Sequence, residues 1–263
     1  MCTLIVGRDV LGPGSLLVGA NRDEDPGRSS TPPARLSAAP DVIAGRDGRA
    51  GGTWLAVRDA QAVVAVLNRR GAAPAGALRS GGLLALDVAG ASGDGAAFAD
   101  VALAAATASL SAHAYAPFAL VCVTPHGGWL LAHDGGGDTV LRAIDSGWHV
   151  LTHAELDDAA EPRTQRLARK LAGYAPATTG EAETRVLELL SLHGSFGDGA
   201  PPESPAADEP AQPVDQAAVC IHAGRMVTVS TSLFRWVDGR ARLLHIEGRP
   251  CTTPPRDLTP LFG

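Results

Sequence analysis

The chain has 263 residues, of which 45% are hydrophobic and 19% are charged, so it can bury a substantial core in one large domain or two small ones. Its net charge is −6 and no basic stripe occurs, which argues against duplex nucleic acid as the main partner. No apolar run reaches the roughly 18 residues of a membrane-spanning helix, and the first residues lack the features of a secretory signal.

Strands and glycine-rich turns are predicted to alternate over the first eighty residues. Residues 2–6 and 15–20 have the short apolar runs of strands, and the Gly12-Pro13-Gly14 turn between them predicts a hairpin. The segments that follow are predicted as a loop over 22–40, a turn over 44–52, strands over 53–57 and 61–67, and a loop over 71–80.

The middle of the chain is predicted to contain two helices and then four strands. Residues 95–110 are rich in alanine and poor in β-branched residues, which favours a helix, and a shorter helix precedes it at 83–91. The strands are predicted over 118–123, 128–133, 139–144 and 148–152, the first two joined by a Thr-Pro-His-Gly turn.

Two more helices and three more strands are predicted to complete the chain. Apolar spacing predicts helices at 162–172 and 181–192, and apolar runs predict strands at 217–222, 226–237 and 241–246. Residues 197–213 are acidic and proline-rich, which predicts a mobile loop. Pairs of helices between runs of antiparallel strands predict an α+β fold, two sheets covered by helical layers.

The four cysteines, Cys2, Cys122, Cys220 and Cys251, lie far apart and form no C-x-x-C pair. The eight histidines likewise show no metal-binding spacing, and we interpret His222 as a core residue of a strand. We therefore expect no disulfide framework, no zinc site and a reducing, cytoplasmic location. The spacing does not exclude haem as a ligand, because a haem iron needs only one His or Cys from the protein.

Cys2 is the first residue that could carry chemistry. Removal of Met1 would give it a free α-amine, whose pKa near 7.7–8.0 suits a general base for the neighbouring thiol. The alternative is that Cys2 is a small apolar residue at the start of a buried strand.

Acidic residues and one arginine follow the second strand, in Asn21-Arg22-Asp23-Glu24-Asp25. The predicted hairpin returns this segment to the start of the chain, where Asp23 could accept hydrogen bonds from the α-ammonium and Arg22 could balance the carboxylates. The alternative is a solvated acidic turn.

Several motifs together resemble the NRDE family, named for Asn-Arg-Asp-Glu, whose eukaryotic members are called transport and Golgi organisation protein 2. The motifs are Met1-Cys2-Thr3, Asn21-Arg22-Asp23-Glu24, Ala50-Gly51-Gly52-Thr53-Trp54-Leu55, Leu67-Asn68-Arg69-Arg70 and Arg79-Ser80-Gly81-Gly82. Residues 150–157 and 218–222 resemble later family segments more loosely, so the resemblance spans the chain as a single domain over 1–263.

The family in turn is similar to the N-terminal-nucleophile cysteine amidases of the choloylglycine-hydrolase type. This resemblance implies a four-layer αββα fold with two stacked antiparallel sheets. It also implies that Cys2 is the nucleophile, that Asp23 holds the α-amine and that Asn68 donates to an oxyanion. Asn21 would support the hairpin, with Arg22 beside it.

At three positions the residue differs from the one that the resemblance predicts. His153 stands where the amidases carry Asn, although imidazole can still donate a hydrogen bond. Ala119 and Val229 replace an expected Asn and Arg. Arg69, after Asn68, could attract an anionic substrate or form a solvated strand end.

Two functions are compatible with the sequence. The resemblance implies hydrolysis of a non-peptide C–N amide bond through a Cys2 thioester, with no cofactor and with Asn21, Arg22, Arg69 and His153 around the substrate. The alternative is a non-catalytic carrier that holds haem or another hydrophobic ligand in the same pocket. In both cases we expect a small-molecule partner, with neither nucleic acid nor a membrane span.

Overall fold

A computed structural model describes residues 2–76, 78–93, 95–194 and 216–263. The acidic loop predicted over 197–213 lies outside these residues. The described strands are β1 (Thr3–Arg8), β2 (Leu16–Glu24), β3 (Ser30–Ala38), β4 (Asp41–Asp47), β5 (Leu55–Arg58), β6 (Ala62–Asn68), β7 (Phe118–Thr124), β8 (Gly127–His133), β9 (Thr139–Ala143), β10 (Gly147–Leu151), β11 (Val227–Val237), β12 (Arg240–Glu247) and β13 (Arg256–Asp257). The helices are α1 (Gly81–Ala89), α2 (Phe98–Ala112), α3 (Pro162–Leu171) and α4 (Thr179–Leu190), with 3-10 turns at Gly95–Ala97 and Thr259–Phe262.

Two antiparallel sheets stack between two helical layers. The six-stranded sheet has the order β10-β1-β2-β11-β12-β13, and the seven-stranded sheet has the order β3-β4-β5-β6-β7-β8-β9. One apolar core fills the space between the sheets, a second lies under α1 and α2, and a third lies under α3 and α4. The predicted α+β fold, αββα in its layers, is therefore confirmed.

Strand alternation distributes side chains among these cores. In β1, Leu4 and Val6 face the other sheet, whereas Ile5 packs under α3 and α4. In β6, Ala65 and Leu67 likewise face the space between the sheets. Because successive side chains point to opposite faces, each strand contributes to two cores, which explains its continuous apolar sequence.

The predictions for residues 22–40, 44–52 and 217–222 were wrong. The Asn-Arg-Asp-Glu motif continues β2, so the first residues of the predicted loop 22–40 are strand, because β11 pairs with all four residues of the motif and β1 pairs with Asn21. The predicted loop 22–40 and turn 44–52 contain β3 and β4, whose register shifts around Pro32 and Pro33, since proline has no N–H to donate. Residues 217–222 contain no strand.

Two glycines of the sequence motifs allow a close backbone contact. Gly52 and Gly82 approach so closely that a Cβ on Gly52 would lie 2.3 Å from the Gly82 carbonyl carbon. The Thr53 N–H donates to the Gly82 carbonyl at 3.0 Å, and Ser80 caps the first turn of α1. The motifs therefore fix the start of α1 on the turn before β5.

The described segment Gly95–Ala112 has the length and hydropathy of a membrane-spanning helix. Asp100 lies in the first turn of α2, and Phe98, Ala102 and Ala106 are buried in the core under α1 and α2. Core helices pass the same test of length and composition, so this segment is weak evidence for a span.

Candidate active site

Cys2 lies at the start of β1, beside the end of β2. The next residue, Thr3, pairs with Asn21 across the hairpin, and the backbone N–H of Asp23 donates a hydrogen bond to the Cys2 thiol. Burial raises the pKa of Cys2, and the nearby Asp23 carboxylate adds to this rise. The hairpin thus brings Cys2 and Asp23 together and favours the protonated thiol over the thiolate.

Two donors from distant parts of the chain hold the enclosed Asp23 carboxylate. Thr228 Oγ1 donates to Asp23 Oδ1 at 2.7 Å, and an Arg163 guanidinium nitrogen donates to Oδ2 at 3.2 Å. Burial raises the pKa of Asp23, and Arg163 and Thr228 oppose this rise. The result is a fixed carboxylate at the start of the chain, suited to accept a hydrogen bond from an ammonium group.

Arg163 links the helical layer to the start of the chain. The same guanidinium nitrogen that donates to Asp23 also donates to Thr3 Oγ1 at 2.8 Å. The side chain of Arg163 is only 2% exposed. A buried cation in this place fixes both the start of β1 and the Asp23 carboxylate.

Arg163 was not predicted as a site residue, although its spacing from two leucines indicates that it lies on the buried face of a helix. Arg163, Leu167 and Leu171 follow one another at intervals of four, which places them on one face of α3. The Glu161 side chain accepts from the Thr164 N–H at 2.6 Å and so fixes where this helix begins. An arginine in register with two core leucines is a candidate for a buried ion pair.

Thr228 was also missed, and its place depends on strand pairing. Thr228 lies opposite Asp23 in the pairing of β11 with β2, and the register shifts between Thr228 and Ser230. Val229, which replaces the expected arginine, therefore lies within this irregularity. The guanidinium that donates to the Asp23 carboxylate belongs to Arg163 in α3.

Asn21 supports the hairpin from below. Its Nδ2 donates to the carbonyls of Leu190 and Val219 at 2.8 and 3.0 Å, and its Oδ1 accepts from Thr231 Oγ1 at 2.6 Å. The side chain is buried and its hydrogen bonds join β2 to the end of α4 and to the segment before β11. These contacts give Asn21 a structural role.

Arg22 is buried and paired. It lies 3.0 Å from an oxygen of Asp47, and its guanidinium carbon lies 4.7 Å from the ring centroid of Trp54. Its charge favours the Cys2 thiolate and so opposes part of the effect of burial. Arg22 thus fixes Trp54, which lines the cavity beside Cys2.

A small cavity between the sheets opens beside Cys2. Its volume is about 10 Å³, room for one water molecule, and its lining is Cys2, Thr3, Leu4, Ala20, Asn21, Trp54, Ala65, Val66 and Leu67. Asn68 follows directly at the exposed end of β6, and among the described residues its amide makes no hydrogen bond. Ala119, opposite Leu67 in β7, offers no polar side-chain atom.

Arg69 and His153 differ in accessibility. Arg69 forms an ion pair with Glu155, so its charge is already partnered. His153 is buried, and within the described residues its Nδ1 has no hydrogen-bond partner. Burial, followed by the charge of Arg70, lowers the pKa of His153, which favours a neutral imidazole that offers one donor and one acceptor.

Solved structures show the same fold. The chain is similar to the Caenorhabditis elegans ortholog of N-acylethanolamine-hydrolyzing acid amidase, with a TM-score of 0.50 and 13% identity over 91% of this chain and 94% of that chain. It is also similar to the C2A mutant of conjugated bile acid hydrolase from Clostridium perfringens, with a TM-score of 0.52 and 10% identity over 100% of this chain and 94% of that chain.

Sequence comparison gives the family. No curated protein sequence matches the chain. The family model described as Transport and Golgi organisation 2 matches residues 1–222, which include the hairpin, Asn68, His153 and Arg163. The chain therefore belongs to the Transport and Golgi organisation 2 family, whose predicted likeness to N-terminal-nucleophile amidases is confirmed at the level of the fold.

Proposed function

We propose that this protein hydrolyses a non-peptide C–N amide bond, with Cys2 as the nucleophile after removal of Met1. The observation that carries the proposal is the Asp23 site, where a carboxylate held by Arg163 and Thr228 lies beside the Cys2 thiol. The two similar structures belong to an amidase and a bile acid hydrolase, which supports the same reaction class.

The first step is transfer of the thiol proton to the neighbouring α-amine. Burial raises the pKa of the thiol, so the thiolate forms only with a base close by. The Asp23 carboxylate then stabilises the resulting ammonium, and Arg163 prevents the carboxylate from turning away.

The thiolate then attacks the amide carbonyl, and its oxygen becomes an oxyanion. Asn68 supplies an amide N–H from the end of β6, and the neutral His153 supplies a second donor. Collapse of this intermediate breaks the C–N bond, and the ammonium returns its proton to the leaving amine. Water then hydrolyses the thioester to a carboxylic acid and restores the thiol.

The cavity restricts how a substrate reaches Cys2. A volume of about 10 Å³ holds no acyl chain, so binding requires the lining side chains to separate. Trp54 is the largest of these side chains, and its contact with Arg22 holds it in place. We include in the proposal a reducing, cytoplasmic location, which suits the four free cysteines.

Intact mass and a substrate panel test the proposal. Protein purified from its native host is expected to begin at Cys2, and acyl-amides of varied chain length are expected to be cleaved by the wild type but not by Cys2→Ser. Cys122→Ala is the matched control, because Cys122 is buried in β7 away from the cavity. Quantitative retention of Met1, or turnover that persists in Cys2→Ser, would contradict the proposal.

The carrier is the other outcome of this experiment. Tight, saturable binding of a hydrophobic ligand without turnover of any amide would support it. A porphyrin, like an acyl chain, exceeds the cavity beside Cys2, so its binding would also require the lining side chains to separate. Titration with haem alongside the amide panel measures this directly.

A further inference from the structure

Four metal-ligating side chains meet at one end of the six-stranded sheet, apart from the Cys2 cavity. They come from three segments that are distant in sequence: His193 follows α4, Cys220 and His222 precede β11, and Cys251 follows β12. Their ligand atoms all lie within 4.8 Å of one another. Sequence spacing could not reveal this cluster, because each segment contributes no more than two residues.

The distances within the cluster agree with one shared tetrahedral ion. Cys220 Sγ lies 3.6 Å from Cys251 Sγ and 3.6 Å from His222 Nε2, and His222 Nε2 lies 3.1 Å from Cys251 Sγ. A tetrahedral zinc ion with bonds of about 2.3 Å to sulfur and about 2.0 Å to nitrogen separates two sulfurs by about 3.8 Å and a sulfur and nitrogen by about 3.5 Å.

His193 provides an independent observation. Its Nε2 is enclosed, yet within the described residues it has no hydrogen-bond partner. Its ring lies 4.9 Å from the ring of His222 at 82°, so the two rings approach edge to face. An enclosed ring nitrogen without a partner requires an explanation, and a fourth metal bond supplies it.

We propose that Cys220, His222, Cys251 and His193 bind one Zn²⁺ ion in a closed, four-coordinate structural site. Two thiolates and two imidazoles favour zinc over calcium or magnesium, which prefer oxygen ligands. Binding releases the two thiol protons to solvent and involves no change of oxidation state. The proposal differs from the prediction that the chain has no metal site, and it is independent of catalysis by Cys2.

Two contacts hold the segment that carries Cys220 and His222. The guanidinium of Arg249 lies 3.4 Å from His222 Nδ1 and 3.3 Å from the His222 carbonyl. When Nε2 binds the metal, Nδ1 carries the hydrogen and can no longer accept from Arg249, so Arg249 keeps only the carbonyl as its acceptor. The Cys220 N–H donates to the Leu192 carbonyl at 2.8 Å and anchors this segment to the end of α4.

A metal bound by this cluster would stabilise the Asp23 site through Thr228. Ile221, between two ligands, donates its N–H to Thr228 Oγ1 at 2.9 Å, and that hydroxyl donates to Asp23 Oδ1 at 2.7 Å. Residues 216–226 contain no helix or strand, and hydrogen bonds with Leu192, Asn21 and Arg249 hold parts of this segment. The ion would therefore add a second support for Thr228, through Ile221, to the pairing of β11 with β2.

Metal content of the full chain tests the site. Wild-type protein purified under reducing conditions is expected to retain about one zinc per chain after dialysis, and Cys220→Ser and Cys251→Ser are expected to lose it. Cys122→Ala and His126→Ala are matched controls outside the cluster, and both should keep the metal. Replacing zinc with Co²⁺ should give the visible absorption of a tetrahedral thiolate complex in the wild type.

A measurement on the wild type covers the case in which the variants fail to fold. Zn²⁺ added to the reduced, metal-free chain should protect two of the four thiols from alkylation, and peptide mapping should identify them as Cys220 and Cys251. Absence of zinc or cobalt uptake by the reduced chain, with both thiols alkylated at the same rate with and without Zn²⁺, would overturn the proposal. A Cys220–Cys251 disulfide whose reduced form takes up no metal would overturn it as well.

Discussion

Arg163 in α3 and Asp23 in β2 form an ion pair that is closed off from solvent, with side chains 2% and 0% exposed. The pair crosses from the helical layer to the sheet and is 140 residues apart in sequence. Removal of one partner from such a pair leaves an uncompensated buried charge, which is strongly destabilising.

Replacing Arg163 with Ala should therefore lower the free energy of unfolding by about 3–5 kcal/mol. Arg163→Lys should recover only part of this loss, because an ammonium is more strongly hydrated than a guanidinium and is therefore less suited to a buried ion pair. Urea unfolding measures the stability of both Arg163 variants. Arg169→Ala, at an exposed position in the same helix, is the matched control. Equal stability of Arg163→Ala and Arg169→Ala would contradict the structural role of the pair.

Asn68 is expected to affect turnover without affecting stability. If its amide stabilises the oxyanion, Asn68→Ala should raise the barrier by about 2.7–4 kcal/mol, seen mainly as lower kcat. Because Asn68 is exposed at the end of β6, the free energy of unfolding of the Asn68→Ala variant should stay within about 0.5 kcal/mol of that of the wild type. An unchanged kcat on a cleaved amide would remove Asn68 from the oxyanion site.

Gly19 is expected to tolerate no side chain. A Cβ at this position in β2 would lie 2.4 Å from Val186 Cγ1 and 3.0 Å from Leu190 Cδ1 in α4, so Gly19→Ala should cost about 1–3 kcal/mol of stability. The double variant with Val186→Ala should be less sensitive to the added methyl group, which double-mutant analysis of thermal unfolding can measure. Gly180→Ala, with open space around it, is the control.

The layers of the fold could be predicted from sequence, because apolar periodicity and turn residues are local signals. The exceptions have a common cause. β3 contains Pro32 and Pro33 and is exposed along most of its length, so composition indicated a loop, yet pairing with β4 imposes a strand. Within the predicted strand 217–222, residues 218–221 are apolar because they are buried beside the end of α4, and burial alone does not make a strand.

The candidate site likewise contains one contact that could be predicted from the sequence and two that could not. The hairpin that joins Cys2 to Asp23 is local in sequence, so turn chemistry and the motif indicated its closure. Arg163 and Thr228 reach Asp23 from 140 and 205 residues away, and no spacing rule connects them to it. Only the packing of α3 and the register of β11 determine those contacts.

His245 in β12 is expected to make the protein sensitive to acid. It is buried, its Nδ1 lies 2.9 Å from Ser232 Oγ, and burial together with the charge of Arg256 lowers its pKa to about 4. The unfolded chain binds the proton near pH 6.5, so His245 contributes stability above that pH, and this stability is lost as the pH falls towards 4. The loss should reach about 2 kcal/mol between pH 7 and pH 5.

Urea unfolding of the wild type and His245→Gln at pH 5, 6 and 7 measures this loss, since the amide of Gln keeps a polar group near Ser232 but does not titrate in this range. The pKa of His153 is also lowered, mainly by burial, and that of His149 is raised by its hydrogen bond to Asp157, so the two act in opposite directions. Both are present in each protein, and their effects cancel in the comparison. The free energy of unfolding of His245→Gln should therefore fall less steeply with acid than that of the wild type. Parallel pH dependence in the two proteins would show that His245 titrates alike in the folded and unfolded chain.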